Sequence, residues 1–307
     1  MKKISLFLNI GFVMLFVVIC QLNVNASSEI IGYTINSNGE EGYVYENDLH
    51  MSTKTYTDGS DGFLKNDSDC TRTVIGNDNR VKLEDWQYTT STYRKICQIT
   101  VTFGGVSIPI HGTGFLVGPH TILTACHIVY QSNSNYDYGW FSTIQITFGS
   151  YIDSLTNTHV YPYGIISTFS SASCGNYCTT KDPNDDWAFI ELTTDIGNSL
   201  GFFGVTSTLF DEDSIWAIGY PDSDLGNMYY GFGQADDVEI YSFAHDCDAS
   251  EGQSGCPILK SYNGYVCGIH SDDYGYWLFG WHPTNQACKI SDYIVGWVED
   301  RQFNIEE

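Results

Sequence analysis

An all-β chain, built as a sandwich or barrel and closed by a single C-terminal helix, is what the order of residues dictates. Short apolar runs rich in Val, Ile, Thr, Phe and Tyr recur at strand length. Gly, Asn, Asp and Ser separate them, and helical periodicity stays scarce until the C-terminus. The composition, 42% hydrophobic and 15% aromatic, can bury a core, which excludes a wholly disordered chain.

The N-terminus reads as a processing segment. Lys2 and Lys3 precede an almost unbroken apolar run over 4–20, and Val24-Asn25-Ala26 supplies a small-residue cleavage site. Residues 1–26 therefore have the pattern of a secretory signal, and the run is slightly short for a membrane span. Residues 27–72 are rich in Gly, Ser, Asn, Asp and Glu without long apolar periodicity. They read as an unstructured extension or, more sharply, as a propeptide cut after Arg72, where a basic residue meets Thr73-Val74-Ile75-Gly76. The remaining stretch, 73–307, suits one two-barrel β domain, a unit that can reach about 250 residues. The expected product is a secreted protein.

Within that stretch, strands are expected at 96–103, 114–117, 121–125, 144–148, 187–192, 215–220, 238–243 and 265–270. Ser291 and Asp292 can cap a helix carrying Ile294, Val295 and Trp297 on one side.

Charge narrows the partners. Lys and Arg total 13 against 37 Asp and Glu, a formal net charge of −24. A binder of nucleic acid or of an anionic membrane needs cations to neutralise phosphates, so neither partner is expected. Self-repulsion favours a monomer.

Three local sequences carry the chemistry. In Thr121-Ile122-Leu123-Thr124-Ala125-Cys126-His127 a strand runs into a small residue and then a histidine, the placement a general base needs. In Asn184-Asp185-Asp186-Trp187 an acidic residue sits at the mouth of an apolar strand, and Asp186 abuts that strand directly. Beside a histidine it would orient the ring and stabilise the imidazolium. In Gly252-Gln253-Ser254-Gly255-Cys256-Pro257 glycines flank a serine in a tight turn. The N–H groups of Gly252 and Ser254 can then point into one concavity, as an oxyanion hole requires. Each motif alone is ordinary: a lone histidine, a turn carboxylate, a Gly-Ser loop. Together, in the order His, Asp, Ser and in an all-β context, they define a nucleophilic triad.

With these motifs the chain resembles the trypsin-fold serine endopeptidases, and among them the glutamyl endopeptidases. Thr73-Val74-Ile75-Gly76 with Asp78 and Arg80, Leu123-Thr124-Ala125-Cys126-His127, Pro162-Tyr163-Gly164, 196–204, Gly219-Tyr220-Pro221 and Gly252-Gln253-Ser254-Gly255 carry the resemblance. It implies two antiparallel six-stranded barrels of chymotrypsin type meeting near residue 200, with a C-terminal helix. It implies a zymogen-derived endopeptidase acting on proteins or peptides, with His127 as base, Asp186 as orienting acid and Ser254 as nucleophile. No cofactor or metal is implied. Gln253 stands where trypsins hold the aspartate that receives the new N-terminal ammonium, so in this chain the amine must go elsewhere.

The resemblance leaves the pocket open. His270 would contact an acidic side chain before the scissile bond. Ala249 replaces a threonine that helps hold the substrate carboxylate. Asp248 stands where trypsins bind Lys or Arg, and Ser271-Asp272-Asp273 replaces the family's glycines. Cleavage after Glu or Asp is the leading reading, with cleavage after Lys or Arg as competitor. A non-catalytic binding protein on the same scaffold is the reading from a different class.

Eight cysteines lie beyond residue 72, an even number that suits disulfides in a secreted protein. Cys174 and Cys178 could close a surface loop. No zinc spacing is present. The acidic loops 211–213 and 236–237 could hold Ca²⁺, but solvated loop charge is the simpler reading.

Overall fold

A computed structural model describes residues 30–45, 78–106, 108–132, 137–277 and 281–303. The signal run, Arg72 and Thr73-Val74-Ile75-Gly76 lie outside the described residues. The N-terminal half contains β1 (Ile30–Asn36), β2 (Glu41–Tyr45), β3 (Val81–Lys82), β4 (Ile96–Phe103), β5 (Ile110–Leu116) and β6 (Thr121–Thr124). It continues with β7 (Tyr130–Ser132), β8 (Asp137–Phe148), β9 (Tyr151–Ile152), β10 (His159–Val160), β11 (Phe169–Gly175) and β12 (Ala188–Leu192). The C-terminal half adds β13 (Ser214–Gly219), β14 (Tyr229–Asp236), β15 (Ser242–His245), β16 (Pro257–Lys260), β17 (Val266–Trp277) and β18 (Trp281–Lys289). Three single-turn helices, α1 (Cys126–Val129), α2 (Tyr177–Thr180) and α3 (Gly197–Leu200), precede the terminal α4 (Asp292–Phe303). None of the described helices is long and apolar enough to cross a membrane.

The strands form two large antiparallel sheets, and β9 and β10 pair as a separate two-stranded ribbon. The first runs β2-β1-β11-β12-β6-β5-β4-β8-β7, and a bridge between Ile146 and Ile166 curls β8 towards the approach to β11. The second runs β13-β16-β17-β18-β15-β14, and a direct β13–β14 pairing closes these six strands into a barrel, with β3 added on β14. The chain is thus a closed barrel and a half-barrel followed by one helix, the chymotrypsin-like architecture that the resemblance implies.

Alternation explains the strands. In β4, Ile99, Val101 and Phe103 are buried while Gln98, Thr100 and Thr102 are half-buried on the other face. One large core joins the first sheet to the helix, and a second cluster around Ile215, Phe243 and Ile258 fills the closed barrel. The terminal helix buries Ile294, Val295, Trp297 and Val298. Trp297 stands edge-on to Trp187 at 5.3 Å, and the Arg301 guanidinium lies 4.6 Å from the ring centres of both Phe189 and Trp297. These contacts press α4 onto β12.

Two expectations differ from the observed elements. The run at 238–243 becomes a strand only from Ser242, because Asp237 adopts a left-handed φ of 47° and turns the chain between β14 and β15. The strand before the turn, β14, contains Gly231 and Gly233, where a Cβ would strike the backbone of Asp248 and of Asp246-Cys247. Part of the N-terminal extension is also ordered. Residues 30–45 form a hairpin, with β1 pairing β11 from Gly32 opposite Gly175 to Asn36 opposite Ser171. The Asn36 carboxamide oxygen accepts the N–H groups of Asn38 and Glu40 at 3.0 Å each, forming the turn. Val44 is buried and Tyr33 and Ile35 pack on the core.

Candidate functional site

His127 and Asp186 meet because their strands are neighbours. β6 and β12 pair with Ala188 opposite Thr124, so the entrance of β12 lies against the exit of β6. Asp182 caps the short 3-10 turn Pro183–Asp185 by accepting the Asn184 N–H, and Asp186 follows at its end. The His127 ring Nδ1 stands 2.8 Å from Asp186 Oδ2, and the His127 backbone N–H donates to Oδ1 at 3.1 Å. The Ser271 hydroxyl donates to Asp186 Oδ2 as well. Asp186 is fully buried, whereas the His127 side chain is 21% exposed. Burial alone would raise the Asp186 carboxyl. The charge of His127, its ring and backbone N–H, and the Ser271 hydroxyl outweigh that and hold it below the usual carboxylate range. Asp185, the neighbour, instead accepts the Thr180 hydroxyl.

Ser254 arrives from the other barrel. Its turn is held by Gln253 N–H to Ser250 C=O at 3.0 Å and Cys256 N–H to Gln253 C=O at 2.9 Å. Gly252 and Gly255 have φ of +87° and +83°. Glycine is needed at 255 on a second count, since a Cβ there would lie 2.3 Å from the Thr113 carbonyl oxygen and 2.9 Å from the Ala125 nitrogen. That close approach sets Ser254 beside the His127 segment. Thr113 of β5 stitches the two halves together. Its N–H donates to the Ser254 carbonyl at 2.9 Å and its hydroxyl to the Gly252 carbonyl at 3.0 Å. Among the described residues no protein acceptor takes the N–H of Gly252 or Ser254, so both can serve a developing oxyanion.

The pocket strand is tied to this turn. Gly255 N–H donates to the His270 carbonyl, and His270 N–H to the Cys256 carbonyl. The register of β17 shifts between His270 and Asp272, which places Ser271 in a bulge. The bulge lets His270 and Ser271, adjacent in sequence, reach His245 and Asp186 respectively. His270 is buried, with Nδ1 3.3 Å from Nε2 of the buried His245. Burial first, and the neighbouring His270 second, push His245 well below the usual imidazole range, so it is neutral. Asp248 accepts the Asn79 backbone N–H at 2.9 Å, and Ala249 is half-buried beside it. The Asp272 and Asp273 side chains lie outside the described residues.

Ser271, Thr113, His245 and Arg80 make contacts around these residues that the sequence motifs alone do not assign to them. Ser271 has a signal in its adjacency to His270 and Arg80 in its place in the motif that begins at Thr73, whereas Thr113 and His245 have none.

The eight cysteines of this region are buried thiols. Cys126, Cys174 and Cys178 are grouped beside His127: the Cys126 thiol hydrogen-bonds with both others, and Cys178 donates to the Tyr130 carbonyl at 2.7 Å. No group of three His, Cys, Asp or Glu side chains fit to hold a metal occurs among the described residues. In the acidic loops Asp213 pairs with Lys260 at 2.8 Å and Asp211 accepts the Val238 N–H.

Comparison with known proteins agrees with this architecture. Residues 112–269 match the trypsin-like peptidase domain. The chain is 30% identical over 244 residues to a glutamyl endopeptidase of Bacillus licheniformis, covering 75% of this chain and 71% of the relative. It is 30% identical over 227 residues to a Bacillus subtilis protein named an extracellular metalloprotease, covering 72% and 69%. A solved Glu endopeptidase in complex with MPD superposes with a TM-score of 0.60 at 22% identity, covering 74% of this chain and 98% of that one. The protease Anisep of Arthrobacter nicotinovorans gives 0.52 at 17%, covering 69% and 98%. The chain belongs to the trypsin-like peptidase family. It is a serine peptidase of chymotrypsin-like fold, and its substrates are proteins or peptides.

Proposed function

We propose that Ser254, His127 and Asp186 carry out the peptidase reaction, that the enzyme is exported and matured, and that it cuts after Glu or Asp. The observation that carries the site is the His127–Asp186 pair at 2.8 Å, set beside a serine turn stitched to the same barrel by Thr113. Ser254 Oγ attacks the peptide carbonyl while His127 takes its proton. The Gly252 and Ser254 N–H groups stabilise the oxyanion. His127 returns the proton to the leaving amine, and water then hydrolyses the acyl-enzyme by the same route. Ser254→Ala should abolish fluorophosphonate labelling and peptide cleavage, and equal labelling of that variant would refute the assignment.

Two observations support acidic selectivity. The buried His270 lies against the neutral His245 on the strand hydrogen-bonded to the serine turn, and an imidazole pair there suits a carboxylate better than a cation. Asp248, which the basic-selectivity reading needs, already accepts the Asn79 N–H. The printed name of the Bacillus licheniformis relative points the same way. Digestion of a peptide library by the matured enzyme tests the preference. Cuts after Lys or Arg would transfer the role to Asp248.

Maturation removes 1–26 as a signal and 27–72 as a propeptide, with Arg72 the last residue lost. The family includes an extracellular relative. The hairpin at 30–45 supports a specific role for the propeptide. It covers the edge of β11, and Tyr33 stacks on Tyr130 with ring centres 4.9 Å apart, just beyond His127. In an oxidising compartment Cys178 forms a disulfide within the three-thiol group. The sequence favours Cys174 as its partner, Cys126 competes, and peptide mapping of the unreduced protein distinguishes them.

A further inference from the structure

We infer that Arg80 is a positioning residue for the oxyanion turn, holding residues 250 and 253 in the conformation from which Gly252 and Ser254 act. The inference rests on the reading of Ser254 as nucleophile. The turn carries two left-handed glycines, so its backbone hydrogen bonds from Gln253 and Cys256 leave it conformationally soft. Gln253, one residue before Ser254, is fully buried. Its Oε1 accepts the Ser250 backbone N–H at 3.1 Å and a hydrogen bond from Arg80 Nη1. The same Nη1 donates to the Ser250 hydroxyl. One guanidinium nitrogen therefore ties together both ends of the turn.

The other edge of the guanidinium is fixed independently. Arg80 Nε donates to Asp78 Oδ1 at 2.9 Å and Nη2 to Oδ2 at 2.8 Å. The Arg80 side chain is 8% exposed and that of Asp78 59%. The cation is thus sunk against the turn, with its ring-side neighbour Tyr229 at 5.8 Å, while its counter-ion faces water. The next residue back, Asn79, donates to Asp248, so the segment 78–80 is fastened to the pocket wall and the nucleophile turn at once. A planar fork is needed here: a lysine ammonium could not grip a carboxylate with one edge and two turn acceptors with the other. The charge count also closes. Asp78 balances Arg80, and a neutral glutamine at 253 adds no further charge to the contact. Where the resemblance leaves residue 253 without the ammonium that trypsins use, the structure supplies an internal cation 173 positions earlier in the chain.

The test compares wild type with Arg80→Ala and Arg80→Lys as full chains, secreted and matured. Readouts are kcat and KM on a cleavable peptide, inhibition by a peptidyl boronic acid, and rescue by methylguanidinium. Loss of one oxyanion contact costs about 10²-fold in kcat, and Arg80→Ala should lose a comparable factor. KM should stay within about twofold, and boronate affinity should fall in step with kcat. Methylguanidinium, but not sodium chloride at equal ionic strength, should restore part of the rate, and Arg80→Lys should stay impaired. A wild-type kcat in Arg80→Ala, or a loss that methylguanidinium does not relieve in a variant with native near-ultraviolet circular dichroism, would overturn the inference. If Arg80→Ala is not secreted, Gln253→Met removes the acceptor instead and should show the same kcat loss; a wild-type rate there would also overturn it. Failure of wild type to label at Ser254 would refute the underlying site. Normal labelling with full turnover in Arg80→Ala would refute the clamp alone.

Discussion

At the scale of single residues the chemistry turns on who holds His127. Asp186 takes its ring N–H and backbone N–H, and Ser271 takes up remaining lone-pair capacity on the same carboxylate. Asp186→Asn should keep the fold and lose about 10⁴-fold in kcat, because an amide imposes the wrong tautomer. Ser271→Ala should cost far less, with the deficit appearing in kcat rather than KM. The buried pair of charges and histidines also writes a pH signature. Asp186 is depressed in the folded state, so its stabilisation is complete above its unfolded value of 3.8 and is lost as pH falls through the lower folded value. His245 is depressed as well. Below its unfolded value of 6.5 the unfolded chain takes up a proton that the folded chain refuses, so stability falls as pH drops under 6.5. Denaturant midpoints measured from neutral pH to pH 5 should therefore decline, and His245→Asn should flatten that slope. An unchanged slope would place the proton uptake elsewhere.

At the scale of elements the site depends on close approaches that only glycine allows. Gly255→Ala puts a methyl group against the Thr113 carbonyl at a positive φ, and strain of this kind costs of order 1–3 kcal/mol. A drop in thermal midpoint together with a loss of kcat is expected, since the displaced turn carries Ser254. The hairpin at 30–45 offers a second element-scale prediction. A synthetic peptide of those residues should bind the matured domain, and replacing Tyr33 by Ala should weaken that binding by removing the stack on Tyr130. Absence of any binding would confine the hairpin to the covalently linked chain. Legibility differed between these elements for physical reasons. The three motifs proposed for the triad stand out in the sequence because each lies close to the start or end of a strand, a local feature. The strands β4, β6 and β12 were legible from β-branched density. The hairpin was not, because its first strand takes β11, a partner far away in the chain, as its second neighbour. Glycine-rich β14 was obscured for the opposite reason, its bare positions being demanded by the backbone of 246–248.

At the scale of the whole molecule, the closed barrel and the half-barrel bring together groups far apart in the chain, and this is what sequence reading could not reach. Ser271 finds Asp186 across 85 positions, and Arg80 finds Gln253 across 173. Such contacts leave no periodic trace, whereas the class of fold does. The net charge of −24 belongs to this scale too. If selectivity is for acidic side chains, a substrate approaches against the field of the enzyme, so raising salt from low ionic strength should lower KM for acidic peptides by screening. A basic-selective enzyme would show the opposite trend. The most direct test of the account is to mature the secreted protein, label it with a fluorophosphonate and locate the adduct by peptide mass mapping. The predicted result is one adduct, on Ser254, absent from Ser254→Ala and strongly slowed in Asp186→Asn. An adduct on another residue, or full labelling of Ser254→Ala, would contradict it.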